Sequence, residues 1–234
     1  IALDDARAQA AAGHFDVALH RLDQALTSPP PPDLAAQAQQ LRPPYALGAA
    51  RLLLQRGDAA DAVTALDDLV AASPTSADAA RALALLPDAV LAAGREALAR
   101  NDETTALRDL ERVVARFPGS PQAATAQGLL TAPESVQGQL VRHDGTPVAG
   151  ALVRLGSHYR PVYGGYETQP PYYVSRSDGH GDFGFAAVPL GDYVVEVQQG
   201  DGWTTILTPD GQPAYRVAVV ALTPVDLAFV VVPS

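Results

Sequence analysis

Cysteine, methionine and lysine are all missing from this chain. Without cysteine there is no disulfide framework, no thiolate nucleophile and no cysteine-ligated metal. Aromatic residues make up only 6%, with a single tryptophan. No run of about 18 apolar residues occurs, so no segment reads as a membrane span. The absence of lysine leaves all 16 basic residues as arginine, against 26 carboxylates. Residues 1–133 hold 11 arginines and 16 acids, and residues 134–234 hold 5 and 10, so each part carries −5 of the net −10. An evenly acidic chain with no basic stripe repels phosphates, which argues against nucleic-acid partners and against anionic membrane surfaces.

Catalytic signatures are missing as well. None of the five histidines sits in a His-x-x-Glu or His-Glu-x-x-His spacing, so the zinc-peptidase arrangement is absent. Neither a Gly-x-Ser-x-Gly elbow nor a phosphate-binding loop occurs. The expectation is a non-enzymatic protein with no catalytic residue, no cofactor and no metal. Arginine-only basic residues and abundant alanine suggest a GC-rich bacterial source. Zero cysteine suits an extracytoplasmic location, periplasm or cell surface. The chain starts at Ile1 inside a helical pattern, so an export or anchoring segment outside this sequence is also an expectation.

What is present is a repeat. At 234 residues and 47% hydrophobic content, the chain is long enough for two modest cores. A spacing of 44 aligns Leu3, Leu47 and Leu91, and likewise Ala6, Ala50 and Gly94. It also aligns Ala18, Ala62 and Ala106, then Leu22, Leu66 and Leu110, each of the last three followed by an acid. Pro30, Pro74 and Pro118 close the series, and Ala35, Ala79 and Ala123 begin another helical stretch. Within a copy, Ala18, Leu19, Leu22, Ala25 and Leu26 fall on one helical face. Gly13, Gly57 and Asn101 suit left-handed turns between the first two helices. A third, shorter helix is expected in each copy.

This pattern resembles tetratricopeptide repeats, in a 44-residue form of a unit that is usually shorter. Ala115 to Ala124 is similar to the repeat ends of bacterial envelope proteins of that class. The resemblance covers residues 1–131, in copies of about 1–44, 45–88 and 89–131. It implies a stacked helical-repeat solenoid that binds protein or peptide; a rigid spacer without a ligand is the alternative.

Beyond a linker at 132–135 the periodicity changes to two. Short strands alternate with Gly, Asp and Pro turns, which reads as an all-β sandwich. Val136, Gly138 and Leu140 form one strand and Ala151 to Leu155 the next. Tyr193, Val195 and Val197 face one way, with Glu196 and Gln198 opposite. Tyr215, Val217 and Val219 make another strand, and Val225, Leu227, Phe229 and Val231 the last. Asp144-Gly145-Thr146-Pro147 leads to Gly150-Ala151-Leu152-Val153. Further on come Asp178-Gly179, then Gly181-Asp182-Phe183-Gly184-Phe185, and Pro189-Leu190-Gly191-Asp192-Tyr193. This succession resembles the carboxypeptidase regulatory-like domain over residues 136–234. The resemblance implies a transthyretin-like, seven-stranded Greek-key-type sandwich and a non-catalytic accessory role. The expected architecture is therefore α+β multidomain, an all-α unit followed by an all-β one.

Between Leu155 and Ser175 lies an insert that the resemblance does not include. It is expected as a long loop, and it carries five of the eight tyrosines. Tyrosine offers contact area with a polar tip at low entropic cost. Tyr159, Arg160, Tyr163, Tyr166, Tyr172 and Tyr173 are therefore the candidate partner-binding residues. The alternative is that the insert folds back over its own sandwich. His143, His158 and His180, with Asp178 and Asp182, are read as turn residues in preference to metal ligands.

The function expected from these readings is an adaptor or scaffold of a bacterial cell envelope, with envelope proteins as partners. Two alternatives stand beside it. One is a permanent structural subunit of a surface layer, pilus or secretion assembly. The other is a carbohydrate-binding module using the tyrosines and Trp203 as stacking platforms.

Overall fold

Left-handed turns punctuate the first half of the molecule at the repeat spacing. The computed structural model describes residues 2–26, 30–162, 165–206 and 216–232. In it α1 (Ala2–Ala11) turns into α2 (Phe15–Leu26), α3 (Pro32–Arg56) into α4 (Ala59–Ala72), and α5 (Ala77–Ala99) into α6 (Glu103–Arg116). The turns carry Gly13, Gly57 and Asn101 with φ of 81°, 85° and 57°, backbone that glycine adopts freely and asparagine tolerates. A seventh helix, α7, spans Pro121–Leu130. Capping also follows the spacing. Ser76 and Ser120, 44 apart, each accept the N–H three residues on at 3.0 Å, at the starts of α5 and α7. Asp102 caps α6 through Thr105 N–H, whereas Asp58 makes no such bond.

The aligned apolar positions are the core of this unit. Leu3, Leu47 and Leu91, Ala18, Ala62 and Ala106, and Leu22, Leu66 and Leu110 are all buried. Each helix from α1 to α5 packs on the next, and α3 also touches α5. Small residues allow this close approach. A Cβ built on Gly94 would lie 3.1 Å from Leu110. The separate third helix is not what forms. Its residues run on without a break into the next copy's first helix, giving the 25-residue α3 and the 23-residue α5. Pro43 and Pro44 lie inside α3 and Pro87 inside α5. Each proline forfeits one backbone bond, but burial of the flanking face on both sides outweighs that loss. No helix among the described residues is long and apolar enough to cross a membrane.

The chain divides into two compact units, Ile1–Gln127 and Gly128–Ser234. The second contains β1 (Glu134–Val141), β2 (Leu152–Val162), β3 (Gly165–Arg176), β4 (Asp182–Val188), β5 (Gly191–Gln199), β6 (Gly202–Thr205), β7 (Arg216–Val219) and β8 (Val225–Val231). One sheet has the order β4-β1-β8, with β1 and β8 parallel. The other has the order β3-β2-β5-β6, and β7 also pairs with β5. Val136, Leu140, Phe183, Phe185, Leu227 and Val230 from the first sheet share one core with Val153, Leu155, Tyr193, Val195 and Val197 from the second. Gly138 is a close approach within it: a Cβ there would meet the Phe183 ring at 2.9 Å.

The expected turns hold, for definite reasons. Asp144 accepts both the N–H and the hydroxyl of Thr146 at 2.9 and 2.7 Å. Tyr193 is buried and donates its hydroxyl to Pro189 O at 2.8 Å, which locks the Pro-x-Gly-x-Tyr turn. Two expectations change. The described residues form eight strands, not seven: β3 arises where an insert was expected, and β6 in a segment to which the sequence reading assigned no element. In β8 the period of two breaks: Leu227 and Val230 are buried, while Phe229 is 59% exposed. Tyr215 lies outside the described residues.

Candidate functional site

The tyrosine-rich insert is strand, not loop. Its two arms are the outer parts of β2 and β3, paired antiparallel from Leu152↔Arg176 to Val162↔Gly165. Backbone groups that a loop would expose are paired here. The register shifts around Ser157, where Gly156 pairs with Tyr172 but Ser157 pairs with Gln169. This shift brings Thr168 over Gly156, where an added Cβ would lie 2.5 Å from the Thr168 side chain.

On this sheet's face away from the core the strands assemble one polar cluster. Glu196 is 3% exposed. Its carboxylate accepts Arg154 Nε at 2.7 Å and the Thr168 hydroxyl at 2.8 Å. The Arg154 guanidinium also lies against two rings, 4.0 Å from the centroid of Tyr172 and 4.2 Å from that of Trp203, an arrangement attractive to the cation. Tyr172 in turn donates its hydroxyl to Thr168 O at 2.9 Å. A buried charge needs this degree of pairing. The cluster clamps β3 and β6 onto β2 and β5.

The six candidate residues therefore separate. Tyr172 belongs to the clamp. Tyr173 packs against the core, edge-on to Tyr193 at 5.9 Å. Arg160 is exposed and paired with Glu167 through Nε at 2.8 Å. Tyr159 and Tyr166 lie on β2 and β3, though their side chains, like Tyr163 altogether, are outside the described residues. Trp203 is half-buried and has Arg154 against its ring, so it is not an open platform. Sequence reading placed Glu196 on the face opposite Val195 and Val197 and Arg154 within the second strand; strand register, which it lacked, is what unites them.

Two other places gather chemistry. Asp178, His180 and Asp182 bring one ligand atom each within 4.8 Å of one another, and all three are exposed. Asp178 accepts the backbone N–H groups of His180 and Asp182 at 2.8 and 2.9 Å, which holds its carboxyl below the usual range. That is the geometry an Asp-Gly turn demands, with or without a cation. In the helical unit, α2, α3 and α4 enclose a groove of about 280 Å³. Leu19, Ala46, Ala49, Ala65 and Leu69 line it, with the Asp23–Arg42 ion pair and Asp68 at its rim.

No family model matches the chain, and no curated protein matches it. Among solved structures, a candidate carbohydrate-binding protein from Pseudomonas aeruginosa is similar at 16% identity. That match has a TM-score of 0.26 and covers 47% of this chain and 97% of the other. The major pilin subunit of Bacillus cereus matches at 14% identity and a TM-score of 0.28, covering 42% of this chain and 29% of the pilin. These likenesses are too distant to bear on function.

Proposed function

We propose that this chain is a non-enzymatic interaction protein of a bacterial cell envelope, working as an adaptor or scaffold. In this reading tetratricopeptide-like helices hold a protein partner, and a carboxypeptidase regulatory-like sandwich provides a second contact. The observation that supports it is the groove between α2, α3 and α4. Its floor is alanine and leucine, and its rim carries the carboxylate of Asp68. A segment with a small apolar anchor and a flanking arginine or lysine matches both features. The outer parts of β2 and β3, which carry Tyr159 and Tyr166, are the candidate second contact.

The test is affinity purification from the native envelope fraction with the intact chain and with Ala65→Arg. Arginine keeps the helix and fills the groove with a long cation. Loss of one specific partner from the variant supports the reading. Equal recovery of every partner by both proteins sinks it.

A further inference from the structure

The outer face of the β4-β1-β8 sheet is a grid of two rows. Gly184, Gln137 and Asp226 lie side by side in one; Asp182, Gln139 and Phe229 lie in the other. Gly184 contributes no side chain, and a depression of about 500 Å³ opens over the grid, within the usual range of ligand pockets, about 300–1,000 Å³.

The exposure of Phe229 is built, not incidental. Regular alternation from Leu227 would turn Phe229 inward. Instead two steps along β1, from Gln137 to Gln139, are matched by three along β8, from Asp226 to Phe229. The extra residue is Ala228, held at φ 49°, a conformation that costs a non-glycine residue. Ala228 N–H donates to Asp226 Oδ1 at 2.9 Å. Val230 takes the core place that Phe229 leaves. Bulges commonly re-aim a side chain beside a site. Here one sets a large apolar ring in water, against the hydrophobic preference, and the aspartate that fastens the bulge also borders the depression.

The lining chemistry selects the occupant. Asp182, Asp226, Gln137 and Gln139 surround Phe229, and no arginine or histidine lines the depression. Two carboxylates without a cation repel anionic ligands. Gln139 Nε2 donates to His180 O at 2.7 Å, which turns its amide oxygen toward acceptor duty. One aromatic face beside several oxygen acceptors fits a ring with an apolar C–H face and a rim of hydroxyl donors. The buried centre of a protein interface is usually built from several apolar side chains, whereas the large apolar side chain that this face turns to solvent is Phe229.

We propose that this face binds a non-anionic saccharide, with a sugar ring stacked on Phe229 and its hydroxyls bonded to Asp182, Gln137 and Asp226. The site rests on different residues from the helical groove, so either can fail alone. The intact chain is applied to an array of cello-, manno- and chito-oligosaccharides, with sialylated and polygalacturonate glycans as anionic controls. Binding to a neutral or amino-sugar series, weakened about tenfold or more by Phe229→Ala and kept by Phe229→Tyr, is the expected result. Because Phe229 is exposed, both variants fold. Binding to none of the three series, preference for the anionic controls, or unchanged binding by Phe229→Ala each overturns it. Concentration-dependent self-association abolished by Phe229→Ala overturns it too, assigning the face to a second copy.

Discussion

In the helical unit the same contacts recur: Leu22, Leu66 and Leu110 occupy one buried position in three copies, as do Ala18, Ala62 and Ala106. In the sandwich the decisive contacts occur once. The Arg154–Glu196 clamp, the Gly138 close approach and the bulge at Ala228 each have no counterpart at a repeat spacing. The repeated design spreads stability over many alike interfaces, each made with its neighbour. The unrepeated design concentrates stability in a few side chains, so single changes should act more sharply there. Two optical signals separate the units. Trp203, the single tryptophan, sits on β6, and circular dichroism at 222 nm is dominated by helices α1 to α7.

The comparison breaks hardest at Glu196. Glu196→Ala strands the Arg154 guanidinium, whose side chain is only 14% exposed. A cost of about 4 kcal/mol to the sandwich is expected, read as an early Trp203 fluorescence transition in denaturant while the helical signal is unmoved. If both signals shift together, the two units unfold as one. Leu66→Ala is the mirror experiment. It removes a fully buried side chain in the middle copy and should cost about 3 kcal/mol, seen at 222 nm and not in fluorescence. Gly138→Ala puts a methyl group 2.9 Å from the Phe183 ring and 3.1 Å from Leu227. The strain expected is about 2 kcal/mol, again confined to the fluorescence transition.

The smallest effect concerns acid. Burial pushes the Asp67 carboxyl up, but hydrogen bonds from Arg112 and Arg116 more than offset this and hold it below its ordinary 3.8. A folded value below the unfolded one means that the pair stabilises above about pH 4. That contribution disappears as the pH falls through the depressed folded value. The side chain is 30% exposed, so the contribution is under about 1 kcal/mol. Asp67→Asn should therefore lower the helical melting midpoint slightly at pH 7 and by less at pH 2. An equal deficit at both values would mean that packing, not charge, is what Asp67 supplies.

Legibility divides along the same line. Periodicity made the buried positions and left-handed turns of the first unit readable, because three copies vote on each position. The fusion of helices into α3 and α5 was not readable, since Pro43, Pro44 and Pro87 look like stops; whether they interrupt a helix depends on packing along both sides. In the sandwich the Asp-Gly and Pro-x-Gly-x-Tyr turns were legible because a local side-chain bond makes each one. Phe229 was misplaced because one left-handed alanine changes which face every later residue takes. The tyrosine segment reads as a loop because the resemblance has no counterpart for it; the long β2–β3 pairing that forms instead is a matter of register. The clamp was invisible because Arg154 and Glu196 are 42 residues apart and only register joins them.

The shared helices have a consequence for how such a chain changes length. Because α3 and α5 each serve two copies, the boundaries between copies fall inside those two helices, while α2, α4 and α6 each lie within a single copy. The natural seams are inside the helices, beside Pro43 and Pro87, which are 44 residues apart. Excising residues 45–88 would join the front of α3 to the back of α5 with every aligned position kept in phase. A change of length that keeps the register therefore removes or adds 44 residues at a time, and a cut at the copy boundary falls mid-helix beside a proline.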